Sequence, residues 1–293
     1  MTGRLVTGLA RFYFEISYGL LVGSSTGRRF LGLASFAGGP AVHGYLTADD
    51  LDALMATLRP ASRDRLLDLG CGIGGAALEI HRRSGAGIVG VDASTRAVAE
   101  ATARARRVGA DDAVRFVVGD LAHPPAVDAA GACAIDSLMF LPDLAGVLRG
   151  ICETLGAGRR VFATVLVAGP GGAERLAVAI AAAGLELEVL DDVTGALATT
   201  SCRRALTARA LLRRPGDAPG DTIRGRAAML LILLEETLVG RLVARGRLGR
   251  WRFVVRCAGQ APGMRGTGRD TPLAEPQEVA IERTAARTAS SGG

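Results

Sequence analysis

Three aspartates stand at or near the ends of apolar runs and define the chemistry available to this chain. Asp68 lies inside the run Leu66-Leu67-Asp68-Leu69, Asp92 follows Gly87–Val91, and Asp120 comes with Gly119 after Val114–Val118. Behind Asp68 the chain reads Gly70-Cys71-Gly72-Ile73-Gly74-Gly75 and then opens a helix at Ala76. Glycines suit a sharp turn over which a ligand comes close to the backbone, because no Cβ stands in the way. The helix that follows turns free N–H groups and a positive dipole end toward any anion on the turn. A strand, a glycine turn and a helix in that order form a nucleotide-type binding site.

Two ligands compete for it. Gly70-x-Gly72-x-x-Gly75, with Asp92 about 20 residues further on, satisfies a dinucleotide fingerprint and would suit an NAD(P)-dependent oxidoreductase. Asp68 argues the other way. A buried carboxylate is costly unless a cation or a donor meets it. A pyrophosphate would be repelled there, whereas an α-ammonium would be attracted. The chain also lacks lysine, so no Tyr-x-x-x-Lys proton donor is available. Taken singly, each aspartate would also suit a helix N-cap or a turn.

Taken together, the motifs resemble those of the class I S-adenosylmethionine (SAM)-dependent methyltransferases, of the kind that acts on small natural products. Asp68-Leu69-Gly70-Cys71-Gly72-Ile73-Gly74 is similar to the first motif, Gly90-Val91-Asp92-Ala93-Ser94 to the second and Val117-Val118-Gly119-Asp120-Leu121 to the third. The resemblance runs from Leu46 to Ala168 and more faintly to Arg256. It implies that the main chain of Gly70, Cys71, Gly72 and Gly74 lies against the methionine part, with Asp68 beside it. It implies that Asp92, with Ala93, meets the ribose hydroxyls, and that Asp120 and Leu121 meet the adenine. An alternative within the same resemblance is a protein that holds SAM and transfers nothing.

The acceptor side is less explicit. Seven of the eleven Phe and Tyr residues precede residue 46, and the resemblance implies that this segment folds over the cofactor as a lid. Aromatic faces suit a sulfonium cation and also a flat or greasy acceptor. Tyr18 and Tyr45 are expected to line the acceptor pocket, with Met139 and Phe140 as an apolar wall. The stretch Asp136 to Asp143 resembles one that often carries a histidine where Met139 or Phe140 stands here. With none present, His43 is the best base candidate among the three histidines; His81 is expected on a helix surface and His123 in a turn. Asp136 is a second catalytic candidate, better suited to supporting the cofactor side of the pocket. No metal site is expected.

These residues need a scaffold. Thr47 caps a helix that runs to Arg59, with Asp50 completing the box. Strands are predicted over Arg65–Leu69, Gly87–Val91, Val114–Val118, Ala132–Ser137 and Arg160–Val167. Helices are predicted over Gly75–Ser84, from Ser94 to Val108 and over Pro142–Leu155. Strands alternating with helices give right-handed crossovers and a parallel sheet. The fold class is thus α/β, and the resemblance supplies a doubly wound, mostly parallel, seven-stranded Rossmann-like sheet with helical lid elements. Its sixth strand would be Leu185–Leu190 and its seventh, antiparallel, Trp251–Cys257. The segments are a lid over 1–46, a SAM-binding domain over 47–258 with a helical insertion at 196–249, and a polar, disordered tail over 259–293. Within the insertion, Met229–Leu234 is apolar nearly all round and is expected to be buried between the sheet edge and a cap.

Composition excludes several classes. The chain has 293 residues, 49% of them hydrophobic, enough for a substantial core. Absence of lysine removes P-loop, Schiff-base and pyridoxal chemistry. Absence of asparagine removes the Asn-Pro-Pro-Tyr motif of methyltransferases acting on adenine or glutamine amides. The net charge is +6, but the arginines are scattered and few aromatics interleave with them, so no nucleic-acid partner is expected. Arg11, Glu15, Arg28 and Arg29 break the early apolar runs, so neither a signal peptide nor a membrane span is expected. The five cysteines show no CxxC and read as reduced packing residues of a cytoplasmic protein. The expected partner is a small-molecule acceptor.

Overall fold

Leu66, Leu67 and Leu69 are fully shielded although they point to opposite sides of one strand. An interior strand of a parallel sheet, covered on both faces, requires that pattern. The computed structural model describes residues 2–36, 39–213 and 219–258. The expected tail over 259–293 lies outside the described residues. Strand β1 (Arg65–Leu69) pairs in parallel with β2 (Gly87–Asp92) on one side and β4 (Gly131–Ile135) on the other. β3 (Val114–Val118) and β5 (Arg160–Ala168) continue the sheet outward. β7 (Leu248–Arg256) runs antiparallel between β5 and β6 (Glu186–Asp192), giving the order β3-β2-β1-β4-β5-β7-β6.

Nine α-helices occur among the described residues. α3 (Ala48–Leu58), α4 (Gly75–Ser84) and α5 (Thr95–Arg107) follow the expected pattern. Thr47 and Asp50 form a reciprocal capping box, and Ser94 caps α5 through Ala97 N. On one face, Leu51, Leu54 and Ile80 pack with Leu66, Phe162 and Val254. On the other, Leu148 and Ile151 of α6 (Leu144–Leu155) and Leu176 and Ile180 of α7 (Gly172–Ala182) meet Leu67, Leu69, Val161 and Phe253. A third cluster joins α1 (Thr2–Val22), α2 (Ser25–Leu33), α8 (Thr194–Arg213) and α9 (Pro219–Ala244) around Leu21, Phe30, Leu211, Met229 and Ile232.

Four expectations change. The fourth strand stops at Ile135 because Asp136 takes a left-handed backbone, φ 51°, which no strand can continue. α7 is an additional helix; its short alanine-rich stretch buries few large side chains and carried no clear period. Met229–Leu234 is only half buried: Met229 and Ile232 are enclosed, but Leu230 is 59% and Leu234 69% exposed. Packing against α1, α2 and α8 covers one face of α9 and leaves the other outward. The cysteines are not all reduced either. Cys152 in α6 and Cys257 after β7 form a disulfide with a Cα–Cα distance of 5.1 Å, a pairing across 105 residues that spacing could not reveal. Cys71, Cys133 and Cys202 are free.

Candidate functional site

The strand ends and the glycine turn meet at one rim of the sheet. Gly70 has φ 79° and Gly72 φ 52°, both left-handed. A Cβ on Gly70 would overlap Ser137, whose hydroxyl donates to Leu69 O at 2.6 Å, and one on Gly72 would stand 2.6 Å from the Tyr18 hydroxyl. Only glycine meets both demands here. Asp92 Oδ2 accepts from Gly72 N at 2.8 Å and Oδ1 from Ser94 N at 2.8 Å, so the end of β2 holds the turn in place. Burial pushes the Asp92 carboxyl up in pKa, and the backbone donors only partly oppose it.

Asp68 faces the same turn from below. Its Oδ1 accepts from the Cys133 thiol at 3.6 Å, while Oδ2 is buried with no partner. Burial pushes this carboxyl up to about 7, opposed by the hydrogen bond from Cys133; the nearby Asp92 charge adds to the rise and the Ala77 backbone N–H lowers it. Asp120 is more open. Burial tends to raise its pKa, but the hydrogen bonds from His123, whose Nδ1 lies 3.0 Å away, and from Ala122 N outweigh that and lower it.

Above this rim lies a cavity of about 100 Å³ lined by Gly70, Asp92, Ala93, Asp120 and Leu121 on the sheet side. Phe14, Tyr18, His43 and Phe140 close it from the other side. A smaller hollow of about 40 Å³ continues it past Asp68, Cys71 and Gly72. Glu15 of α1 fastens this cover: its Oε1 accepts from Thr95 N at 2.6 Å at the start of α5, where the helix dipole favours a negative charge. Small-molecule sites run to about 300–1,000 Å³. The two hollows together lie below that range. The donor set itself fits SAM: the unpartnered Asp68 Oδ2 suits an ammonium, and the bare glycine turn admits a ligand against its backbone.

Several site candidates sit elsewhere. Gly74 is the N-cap of α4 and faces Phe116 and Ala101 rather than the cavity. Met139 packs toward the sheet and lines a different hollow, whereas Phe140 stands edge-on to Phe14 at 4.9 Å. Tyr45 turns away as well. Its hydroxyl donates to Glu236 at 3.3 Å, and the Arg204 guanidinium lies 5.4 Å from its ring centre. His43 lines both hollows. Its Nε2 is 3.4 Å from Ser17 Oγ, its Nδ1 has no partner, and burial with the Arg204 charge lowers its pKa to about 3. Asp136 does line the cavity, but its carboxylate is taken: Arg250 Nε donates to Oδ1 at 2.8 Å, Thr164 Oγ1 to Oδ1 at 3.0 Å and Tyr45 N to Oδ2 at 3.0 Å.

Two arginines gave no sign of themselves in the sequence. Arg250 is fully buried and also donates through Nη1 to Asp50 Oδ2 at 2.8 Å. Arg204, 2% exposed, pairs with Glu236 at 2.5 Å and donates to Gly44 O at 3.3 Å beside His43. The one hint was Asp50, an acid at a cap that also proves to be fully enclosed.

Comparison with known proteins agrees with this geometry. A methyltransferase-domain family matches residues 66–158, from β1 into the turn after α6. The methyltransferase GfsG of Streptomyces halstedii is 32% identical over 121 residues, covering 40% of this chain and 44% of that protein. The chain thus spans less than half the length of that curated relative. The crystal structure of the [4+2]-cyclase SpnF superposes with a TM-score of 0.65 at 22% identity, over 87% of this chain and 97% of that one. Geranyl diphosphate C-methyltransferase from Streptomyces coelicolor, solved with Mg2+, geranyl diphosphate and S-adenosylhomocysteine, gives 0.56 at 20% identity, over 72% and 79%. The doubly wound dinucleotide order 3-2-1-4-5-6 lacks the antiparallel strand inserted here as β7. With that strand in place and three aspartates at one rim, residues 66–158 match a methyltransferase-domain family across the glycine turn, and the fold is similar to that of solved S-adenosylmethionine-dependent methyltransferases.

Proposed function

We propose that this protein transfers a methyl group from SAM to a small, apolar or aromatic metabolite held against Phe14 and Phe140. The observation that carries the reading is the unpartnered Asp68 Oδ2, buried under a glycine turn and continuous with an aromatic-walled cavity. Asp68 holds the ammonium, Asp92 the ribose, Asp120 and Leu121 the adenine edge. When bound, SAM supplies an electrophilic methyl carbon whose displacement leaves the neutral thioether. The aromatic wall excludes water and presents ring faces to the sulfonium. His43 contacts the acceptor and is a poor proton acceptor, because burial disfavours its charged form. Asp136 keeps the wall in position. Catalysis then rests on alignment, for which ~7–11 kcal/mol is the available ceiling. Acceptors that need no strong base, such as amines, thiols and acidic phenols, suit the site best.

Titration with S-adenosylhomocysteine should give saturable one-to-one binding. Incubation with methyl-labelled SAM and a panel of aromatic and terpenoid acceptors should then transfer the label. A protein that does not bind S-adenosylhomocysteine ends this proposal. The locked Asp136 and the weakly basic His43 favour a second reading, a SAM-holding protein without transfer. Cofactor binding with no labelled product from any acceptor would select it.

A further inference from the structure

Across Leu141 from the cofactor cavity, the described residues form a second hollow of about 310 Å³. Its wall is aliphatic, with Met139 and Leu144 on one side and Val165 and Val167 of β5 on the other. Leu141 lines both spaces, so the two are adjacent. At the rim stands Arg175 of α7. Its hydrogen-bond partners are the carbonyl oxygens of Ala168 and Gly169, and no described carboxylate pairs with it. An unpaired guanidinium beside an aliphatic hollow is complementary to one class of ligand, a chain with an anionic end.

We propose that this hollow is a subsite for an amphipathic acceptor, taking its aliphatic arm along β5 and its carboxylate or phosphate at Arg175. The inference rests on the methyl-transfer reading, because Leu141 sets the other end of such a molecule beside the cofactor cavity. Burial of each methylene strengthens binding ~4-fold. Chain length is thus a direct readout of the aliphatic wall, and head-group charge a readout of Arg175.

The test uses the full chain with octanoate, decanoate and 1-decanol as probes. Trp251, the chain's one tryptophan, pairs with Val165 across the β5–β7 ladder and reports occupancy by its fluorescence. Decanoate should perturb Trp251 saturably and bind ~15-fold more tightly than octanoate. Arg175→Met should weaken decanoate ~5–10-fold and leave decanol within about 2-fold, because the pair sits at an exposed rim. Val167→Phe should abolish both while S-adenosylhomocysteine affinity, measured by calorimetry, stays unchanged. Normal S-adenosylhomocysteine binding without decanoate binding would overturn the subsite and leave the methyltransferase reading intact. So would unaltered decanoate binding by Val167→Phe, or equal loss of decanoate and decanol in Arg175→Met. Saturable decanoate binding without any S-adenosylhomocysteine binding would uphold the hollow and remove the methyl-transfer reading.

Discussion

Arg250 Nε lies 2.8 Å from Asp136 Oδ1, and this ion pair joins the first part of β7 to the residue that follows β4. The second branch of the guanidinium reaches Asp50, so one cation offsets two enclosed carboxylates. Burial opposes the charge on Arg250, and Asp136 and Asp50 outweigh that and raise its pKa. Arg250→Met removes the cation, leaving Asp136 buried without one and Asp50 with only the 3.8 Å pair to Arg252. The variant should lose ~3–5 kcal/mol of stability, read from urea midpoints. A loss under about 1 kcal/mol would mean that water or another donor reaches the acids.

Asp68 makes cofactor binding depend on pH. Its carboxyl sits at about 7 in the folded protein, above its ordinary value, so near pH 6 it is mostly protonated. An ammonium binds the ionised form. Affinity for S-adenosylhomocysteine should therefore rise between about pH 6 and 8, with a proton released on binding at the lower pH. The stability sign is opposite: the folded state holds the proton more tightly than the unfolded chain, so this group's contribution falls as pH rises from about 4 to 7. Asp68→Asn should bind more weakly, show no such pH dependence, and be more stable than the parent at about pH 8. Calorimetry in buffers of differing ionisation enthalpy would expose a missing proton release.

Asp92 ties the ligand to the turn through one carboxylate. Asp92→Asn keeps the shape but turns one acceptor oxygen into a donor facing Gly72 N or Ser94 N. Binding of S-adenosylhomocysteine should weaken by about 10–100-fold. Affinity unchanged within about 3-fold would detach Asp92 from the site.

Opening of α1 should limit how fast the ligand arrives. Glu15→Gln weakens the hold on Thr95 and the 3.5 Å pair with Arg96, and Tyr18→Ala frees the space over Gly72. Both should raise the association rate of S-adenosylhomocysteine in stopped-flow measurements. Rates equal to the parent would show that the ligand arrives by another path.

The Cys152–Cys257 link closes a long loop. Its removal by Cys152→Ala with Cys257→Ala should lower stability by ~2–4 kcal/mol. Unchanged thermal midpoints with and without reductant would show that the bond does not form in solution.

The parallel half of the fold was legible because local signals agreed: apolar strands, glycine turns and caps at Thr47 and Ser94 fall at the observed positions. The sixth and seventh strands came from family likeness and shifted by a few residues, since β7 takes its place through long-range pairing rather than local pattern. Asp68, Asp92 and Asp120 were visible because short-range order fixes them at strand ends. Arg250 and Arg204 were not, because an arginine's burial depends on acids that lie 32 to 200 residues away in the chain. Met139 and Phe140 are neighbours whose directions diverge in a single short 3₁₀ turn, which no periodicity announces. Tyr45 was drawn off by Glu236, an acid in a helix remote in sequence.

The late position of β7 has a consequence for biogenesis. A nascent chain emerging from the ribosome can build the first five strands with only local and neighbouring pairings. Until residue 250 is released, Asp50 and Asp136 have no counter-ion, and β6 has no partner beside β5. Translation intermediates should accordingly be protease-sensitive around both acids, becoming resistant in one step once the penultimate sheet position is filled.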